Sequence, residues 1–202
     1  DRIVAISDAV ARTIPKRGEK PPPVVVVPNP VSTDSPEVSV VETIRMMVQK
    51  QANLQNKDRF FLIGWFSALR ALKDPFLFVK LIAALNKTSP YPVVAIMLGK
   101  DLEGLKDKIS AQIRCSDMGD RIFLMGFQRP IESWMSACDL LVAPSTGDAF
   151  GRTLIEAMSL GVPVVAAAAG GHVEVIRHRV NGLLATAGNL EEFSCCVNEI
   201  MN

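Results

Sequence analysis

The sequence predicts an α/β protein built on a Rossmann-like, doubly wound parallel sheet, and three observations carry that prediction. Short apolar runs rich in Val, Ile and Leu alternate with amphipathic stretches along almost the whole chain. The runs are continuous rather than alternating in polarity, which is the pattern of strands covered on both faces. Hydrophobic residues fill 49% of the 202 positions but aromatics only 6%, which suits a large aliphatic core around a buried sheet.

In chain order, strands are expected at Ile3–Ser7, Val24–Pro28, Phe60–Phe66, Val93–Leu98, Ile122–Met125, Leu140–Ala143, Val162–Ala168 and Gly182–Ala185. Helices are expected at Pro36–Lys50, Pro75–Leu85, Leu102–Cys115, Ile131–Ala137, Thr153–Leu160, Val173–Arg177 and Leu190–Met201. Helices of this length between strands make βαβ units, whose right-handed crossovers lay helices on both sheet faces. Pro75 opens one helix, while Gly161 and Pro163 end another.

The segment Pro15–Pro36 is different. Seven prolines fall in it, and proline fixes φ and cannot donate to a ladder, so it reads as an extended connector around one short strand. A domain boundary is placed here. Residues 1–20 are expected to be the closing strand and helix of an N-terminal domain plus a linker, and residues 21–202 a Rossmann-like domain.

Bulk properties exclude several classes. A formal net charge of +1 gives no reason to expect nucleic acid as a partner. Cys115, Cys138, Cys195 and Cys196 form no metal-ligand pattern and read as reduced thiols. No apolar run approaches the roughly 18 residues of a membrane span, and Asp1-Arg2 does not open a signal peptide. A cytoplasmic protein is expected, with membrane contact at most peripheral.

The most informative stretch is Pro144–Met158, a loop of small residues running into a helix start. Asp148 lies in the loop and Glu156 in the helix's first turn. A helix N-terminus presents unpaired amides and partial positive charge, a seat for phosphate. Carboxylates suit sugar hydroxyls, which donate to them. Together these features point to a nucleotide sugar. Leu140–Ala143 ends just before, placing the loop at the carboxyl edge of the sheet, where open α/β folds bind ligands. Gly151 lets a ligand approach the backbone.

Each residue also has an ordinary reading. Thr153 and Glu156 have capping-box spacing, with Glu156 reaching back to the Thr153 amide. Asp148 alone fits a solvated loop acid, and Lys73 a solvated position ahead of a helix. His172 is expected as a surface helix cap and His178 as a solvated helix end. Trp65 and Trp134 are expected to pack in a core or between domains.

Asp148 to Glu156 resembles the E-x7-E motif of the retaining glycosyltransferases of the glycogen-synthase and sucrose-synthase type, called family 4 or group 1. That pattern continues as E-A-M, G-x-P-V-V-A and G-G, met here by Glu156-Ala157-Met158, Gly161–Ala166 and Gly170-Gly171. Glu174-Val175-Ile176 and Asn181–Leu184 follow, and Ile6-Ser7, Pro28–Val31, Leu98-Gly99, Asp120–Ile122, Gly126-Phe127 and Ala143–Ser145 precede in the family's order. The resemblance covers nearly the whole chain.

The resemblance implies the C-terminal, donor-binding domain of a GT-B glycosyltransferase, a transferase of the hexosyl type that retains anomeric configuration. The implied donor is a UDP- or GDP-sugar, with no cofactor and no metal. The acceptor, a glycan or lipid, would be held by the N-terminal domain, so this chain alone should bind donor with little turnover. By position, Asp148 would contact the donor sugar and Lys73 the diphosphate, the two catalytic assignments. Glu156 would accept from the ribose hydroxyls, Phe150, Gly151, Arg152 and Thr153 would offer amides to sugar and diphosphate, and Gly126 and Phe127 would hold the base.

The chain departs from the pattern at several positions, with Ser67-Ala68-Leu69 standing for Gly-Arg-Leu before the lysine. Asp148 stands for a longer Glu, Ala68 for the arginine that clamps the diphosphate, and Asp74 for a glycine. A non-catalytic nucleotide-sugar-binding domain, or a GT-B epimerase or phosphorylase, fits the same fold.

Overall fold

Residues 2–14, 23–31, 35–55 and 59–202 are described by a computed structural model of the chain. Strand and helix alternate as β1 (Ile3–Ala5), α1 (Asp8–Thr13), β2 (Val24–Val26), α2 (Val38–Gln51), β3 (Phe61–Phe66), α3 (Pro75–Thr88), β4 (Val93–Leu98) and α4 (Lys106–Cys115). They continue as β5 (Ile122–Gly126), α5 (Ile131–Ser136), β6 (Leu140–Ala143), α6 (Arg152–Ser159), β7 (Val164–Ala167), α7 (His172–Val175), β8 (Leu183–Ala185) and α8 (Leu190–Met201).

The last six strands form one parallel sheet in the order β5-β4-β3-β6-β7-β8. Strand order therefore reverses between β3 and β6, which pair through Ile63 with Leu140 and Gly64 with Leu141. At such a reversal the connections leave to opposite sides, opening a crevice beyond the strand ends. The expected fold class holds.

The sheet has a core on each face. Along β3, Ile63 and Trp65 join one apolar cluster while Leu62 and Phe66 join the other. Along β4, Val93, Ala95 and Met97 face the first, and Val94, Ile96 and Leu98 the second. This is the two-residue period of a strand whose faces are both covered. Helices α3, α4 and α8 close one side with residues such as Phe78, Ile109 and Phe193; α2, α5 and α6 close the other with Val48, Met135 and Leu154. Trp65 and Trp134 are both core residues, as expected.

One helix start moved for an identifiable reason. The helix expected from Leu102 starts only at Lys106, because the Asp101 carboxylate accepts from the amides of Glu103, Leu105 and Lys106 and Gly104 adopts φ 65°. Those contacts hold residues 102–105 in a turn. The expected strand at Val24–Pro28 is present as β2. It pairs in parallel with β1 as a separate two-stranded sheet, Val25 opposite Val4. Residues 15–22 and 32–34 of the proline-rich connector lie outside the described residues.

Candidate functional site

Three loops converge beyond the carboxyl ends of β3, β6 and β7. The first follows β3 and ends in a single 3-10 turn, Ala71–Lys73, before α3. Asp74, at the position where the resemblance leads one to expect glycine, takes a left-handed conformation at φ 46°. It is also the cap of α3, accepting from the Leu77 amide at 3.1 Å, with Pro75 opening the helix. An aspartate tolerates αL better than most residues, so one side chain serves both needs.

The second loop, residues 144–151, is anchored to the first at Leu72. The Leu72 carbonyl accepts from the Thr146 amide at 3.0 Å and the buried Ser145 hydroxyl at 3.2 Å. This fastening carries the two charged side chains into contact: Lys73 Nζ lies 2.6 Å from Asp148 Oδ2. Both are about a fifth exposed, 19% and 23%, so the pair is partly shielded from water.

The third loop follows β7, and its Gly170-Gly171 pair backs onto the second. The Gly171 amide donates to the Asp148 carbonyl at 2.7 Å. A Cβ on Gly171 would sit 2.5 Å from Phe150 Cα, so only glycine fits there. His172 comes next, and it corrects the expectation of a surface cap. Its side chain is fully buried, with Nδ1 3.1 Å from the Ala167 carbonyl and Nε2 3.6 Å from Asp148 Oδ2.

Burial of the Asp148 carboxyl opposes its ionisation, but the ammonium of Lys73 at 2.6 Å outweighs that and holds it well below the usual carboxylate range. At 3.6 Å the imidazole is too far for a hydrogen bond, so the lysine is the firmer partner. A depressed folded-state pKa means stability that is complete above the unfolded value and lost as pH falls through the folded one. The stability gap between wild type and Asp148→Asn is therefore expected to stay level above about pH 5 and to shrink below about pH 4. Thermal unfolding over that range checks it; a gap that stays constant down to about pH 3 would refute the assignment.

α6 does not begin as the capping box requires. Gly151 is the N-cap, at φ 80°, and no side chain caps the helix, whose first residue is Arg152. Glu156 instead faces Arg152 one turn back, at 3.1 Å. Burial raises the Glu156 pKa, with Arg152 opposing and Glu132 adding to the rise.

Lys73, Asp148 and Thr153 line a crevice of only ≈ 10 Å³ at the strand reversal, room for about one water. The larger space lies alongside it. A cavity of ≈ 260 Å³ runs past Ser67, Ala68, Gly99, Lys100, Phe127 and Thr153. It shares Gly99, Lys100, Leu102 and Phe127 with another of ≈ 560 Å³ that also takes in Gly126 and Asp101. Gly126 (φ 67°) turns the chain, and Phe127 is 52% exposed with Lys100 Nζ 5.0 Å and Arg129 Cζ 5.4 Å from its ring centre. Gly126 and Phe127 thus line a groove that meets the Lys73–Asp148 crevice at Ser67 and Thr153, whereas Glu156, Phe150, Gly151 and Arg152 stand outside these linings.

The chain's first elements also reach the site. The Ser7 hydroxyl caps α1 at the Val10 amide and donates to the Ala149 carbonyl, next to Asp148. The Glu174 carboxylate accepts from the amides of Asp8 at 2.8 Å and Ala9 at 2.6 Å. Sequence reasoning gave Ser7, His172 and Glu174 no site role. The available signal was Gly170-Gly171, which marks a close backbone approach whose next residue must turn inward.

The fold is a Rossmann-like α/β domain matching GT-B glycosyltransferase structures. The sequence profile of the family Glycosyl transferases group 1 matches residues 48–202, and the chain belongs to that family. It is 32% identical over 132 residues to the lipopolysaccharide core biosynthesis mannosyltransferase LpcC of Rhizobium leguminosarum bv. viciae, covering 64% of this chain and 38% of that protein. It is 32% identical over 136 residues to a D-inositol 3-phosphate glycosyltransferase of Streptomyces griseus, covering 62% and 28%. The crystal structure of Anabaena Alr3699/HepE in complex with UDP and glucose superposes on all of this chain and 53% of its own, with TM-score 0.86 and 30% identity. The chain thus spans about half of that structure and less than two-fifths of these curated relatives. Among the described residues, no helix is long and apolar enough to cross a membrane.

Proposed function

We infer that this chain is the donor-binding half of a group 1 glycosyltransferase that moves a hexose from a UDP- or GDP-sugar to a glycan or lipid acceptor with retention of configuration. The observation that carries the reading is the Lys73–Asp148 pair at the strand reversal, 2.6 Å apart and opening onto the groove that ends at Phe127. A nucleotide laid along that groove puts its base at Gly126 and Phe127 and its diphosphate near Thr153 and Lys73.

In the transfer step the bond between the anomeric carbon and the diphosphate oxygen breaks. Negative charge grows on the leaving diphosphate, where the Lys73 ammonium and the amides opening α6 stabilise it. Asp148 accepts from a hydroxyl of the sugar and holds the ring as positive charge develops on it. Glu156 accepts from the ribose hydroxyls once Arg152 turns aside. No metal takes part in this scheme. The N-terminal lobe, which β1 and α1 close, supplies the acceptor site, on the cytoplasmic side of any membrane it touches.

Titration calorimetry with UDP- and GDP-sugars tests the donor site. Binding is expected and is expected to be unchanged by EDTA. Glu156→Gln is expected to weaken it about tenfold, the scale of one charge-assisted hydrogen bond. No binding by a folded protein would overturn the reading.

Ala68 favours a second reading. It lines the groove at the position where the family pattern has its clamping arginine, which suits a binding domain that has lost catalysis. Ala68→Arg in the full-length protein separates the two. A gain in transfer of more than about tenfold indicates lost function; little change means Lys73 suffices.

A further inference from the structure

His172 has no part in the scheme above, yet its imidazole is the buried group most exposed to a change at the site. Its Nδ1 faces the Ala167 carbonyl at 3.1 Å, and a carbonyl only accepts, so Nδ1 carries hydrogen. In the neutral ring Nε2 is then a bare acceptor. That nitrogen is buried, has no hydrogen-bond partner among the described residues, and looks at another acceptor, Asp148 Oδ2, 3.6 Å away. Two acceptors face each other where water is partly excluded, and the arrangement holds because Lys73 Nζ neutralises the same oxygen from 2.6 Å.

The donor reading takes that lysine away. A diphosphate at the mouth of the crevice competes for the Lys73 ammonium, and Asp148 is left ionised, partly buried and without a cation. Sugar hydroxyls can donate to it but bring no charge. Other charges nearby do not replace it: the Arg152 side chain on α6 is 62% exposed, and Glu174 on α7 is committed to the amides of Asp8 and Ala9. Asp8 and Arg12 on α1 are exposed, and neither β7 nor residues 168–171 carry a charge.

We propose that His172 is the standby counter-ion of Asp148: as a nucleotide sugar draws Lys73 to its diphosphate, Nε2 takes one proton from solvent and donates it in a hydrogen bond to Oδ2. The proton returns to solvent when the diphosphate leaves and Lys73 swings back. His172 is thus a positioning residue that acts through Asp148, and donor binding is coupled to proton uptake. This rests on the assignment of Lys73 to the diphosphate.

The test is calorimetry of UDP-glucose, with GDP-mannose as the alternative probe, at about pH 7.5 in buffers of differing ionisation enthalpy, where an ordinary imidazole is mostly neutral. The phosphates of a nucleotide sugar do not titrate there, so buffer-dependent heat reports protons taken by the protein. Wild type is expected to take up roughly half a proton to one proton per donor bound. His172→Gln keeps an amide donor beside Asp148 but cannot titrate, so uptake should vanish while affinity stays within roughly tenfold. Binding without uptake in wild type, or equal uptake in His172→Gln, overturns the proposal.

If the variant does not fold, imidazole nitrogen shifts of the wild type decide instead. The chain has two histidines, so His178→Ala assigns both. The expected change is from a neutral ring protonated at Nδ1 to an imidazolium in the complex, and a ring that stays neutral refutes it. A wild type that binds no nucleotide sugar removes the donor-site reading, and this inference with it.

Discussion

Lys73→Ala is expected to lower sugar transfer by the full-length protein roughly 10²- to 10³-fold, the scale seen when one preorganised group that stabilises developing charge is removed. Lys73 approaches from the 3-10 turn after β3 and is held against Asp148 by the Leu72 carbonyl's grip on the neighbouring loop. Its resting place beside the crevice is therefore set before any ligand arrives. The fold should tolerate the change. Breaking a fully buried pair costs about 3–5 kcal/mol, but these side chains are about a fifth exposed, so a cost near 1–2 kcal/mol is expected. The split of kinetic constants carries the mechanism. Loss in kcat and in kcat/KM alike marks stabilisation of the leaving diphosphate, whereas a rise in KM alone marks ground-state binding. Lys73→Arg keeps the charge but replaces a compact ammonium with a planar fork, and partial recovery is expected. A loss of less than about threefold for Lys73→Ala would remove this residue from the mechanism.

Gly171→Ala is expected to destabilise the protein by about 3 kcal/mol, at the upper end for forced overpacking. The added methyl would stand 2.5 Å from Phe150 Cα and 2.7 Å from the Ala149 oxygen, both main-chain atoms with no rotamer to yield. Gly171 itself has φ −74°, so the effect is crowding rather than backbone strain. For a chain of 202 residues that is a fall in Tm of roughly 6–12 °C. The loop that must retreat carries Asp148, so donor affinity should fall with stability. Gly119→Ala is the control: nothing lies within 4 Å of its Cβ position, and its Tm should stay within roughly 2 °C of wild type. Equal stability of the two variants would mean the loop moves freely.

Much of the architecture was legible because strands buried on both faces write themselves as unbroken aliphatic runs, as in Phe61–Phe66 and Val93–Leu98. Pro75 and Gly161 set helix ends for local steric reasons, and those ends appear where expected, Gly161 at φ 75°. What failed was governed by distant atoms. The spacing of Thr153 and Glu156 imitates a cap, but Gly151 takes the N-cap position and Arg152 takes the glutamate. Three residues of sequence cannot say which competitor wins. His172 looked polar and therefore superficial; the glycine pair ahead of it lets the backbone press against residues 148–150 and turns the ring inward. The pairing of β2 with β1 was hidden because a three-residue valine run suits either sheet.

The grip of Glu174 on α1, with the Ser7 bond to Ala149, has a practical corollary for anyone dissecting this protein. The six-stranded sheet does not stand apart from the chain's first elements, because residues 7–9 bond to Ala149 and to Glu174. Trimming residues 2–14 would strip a carboxylate of both its amides and a carbonyl of its hydroxyl, one residue from Asp148. A tidy excision at the sheet's edge would therefore report on a damaged pocket.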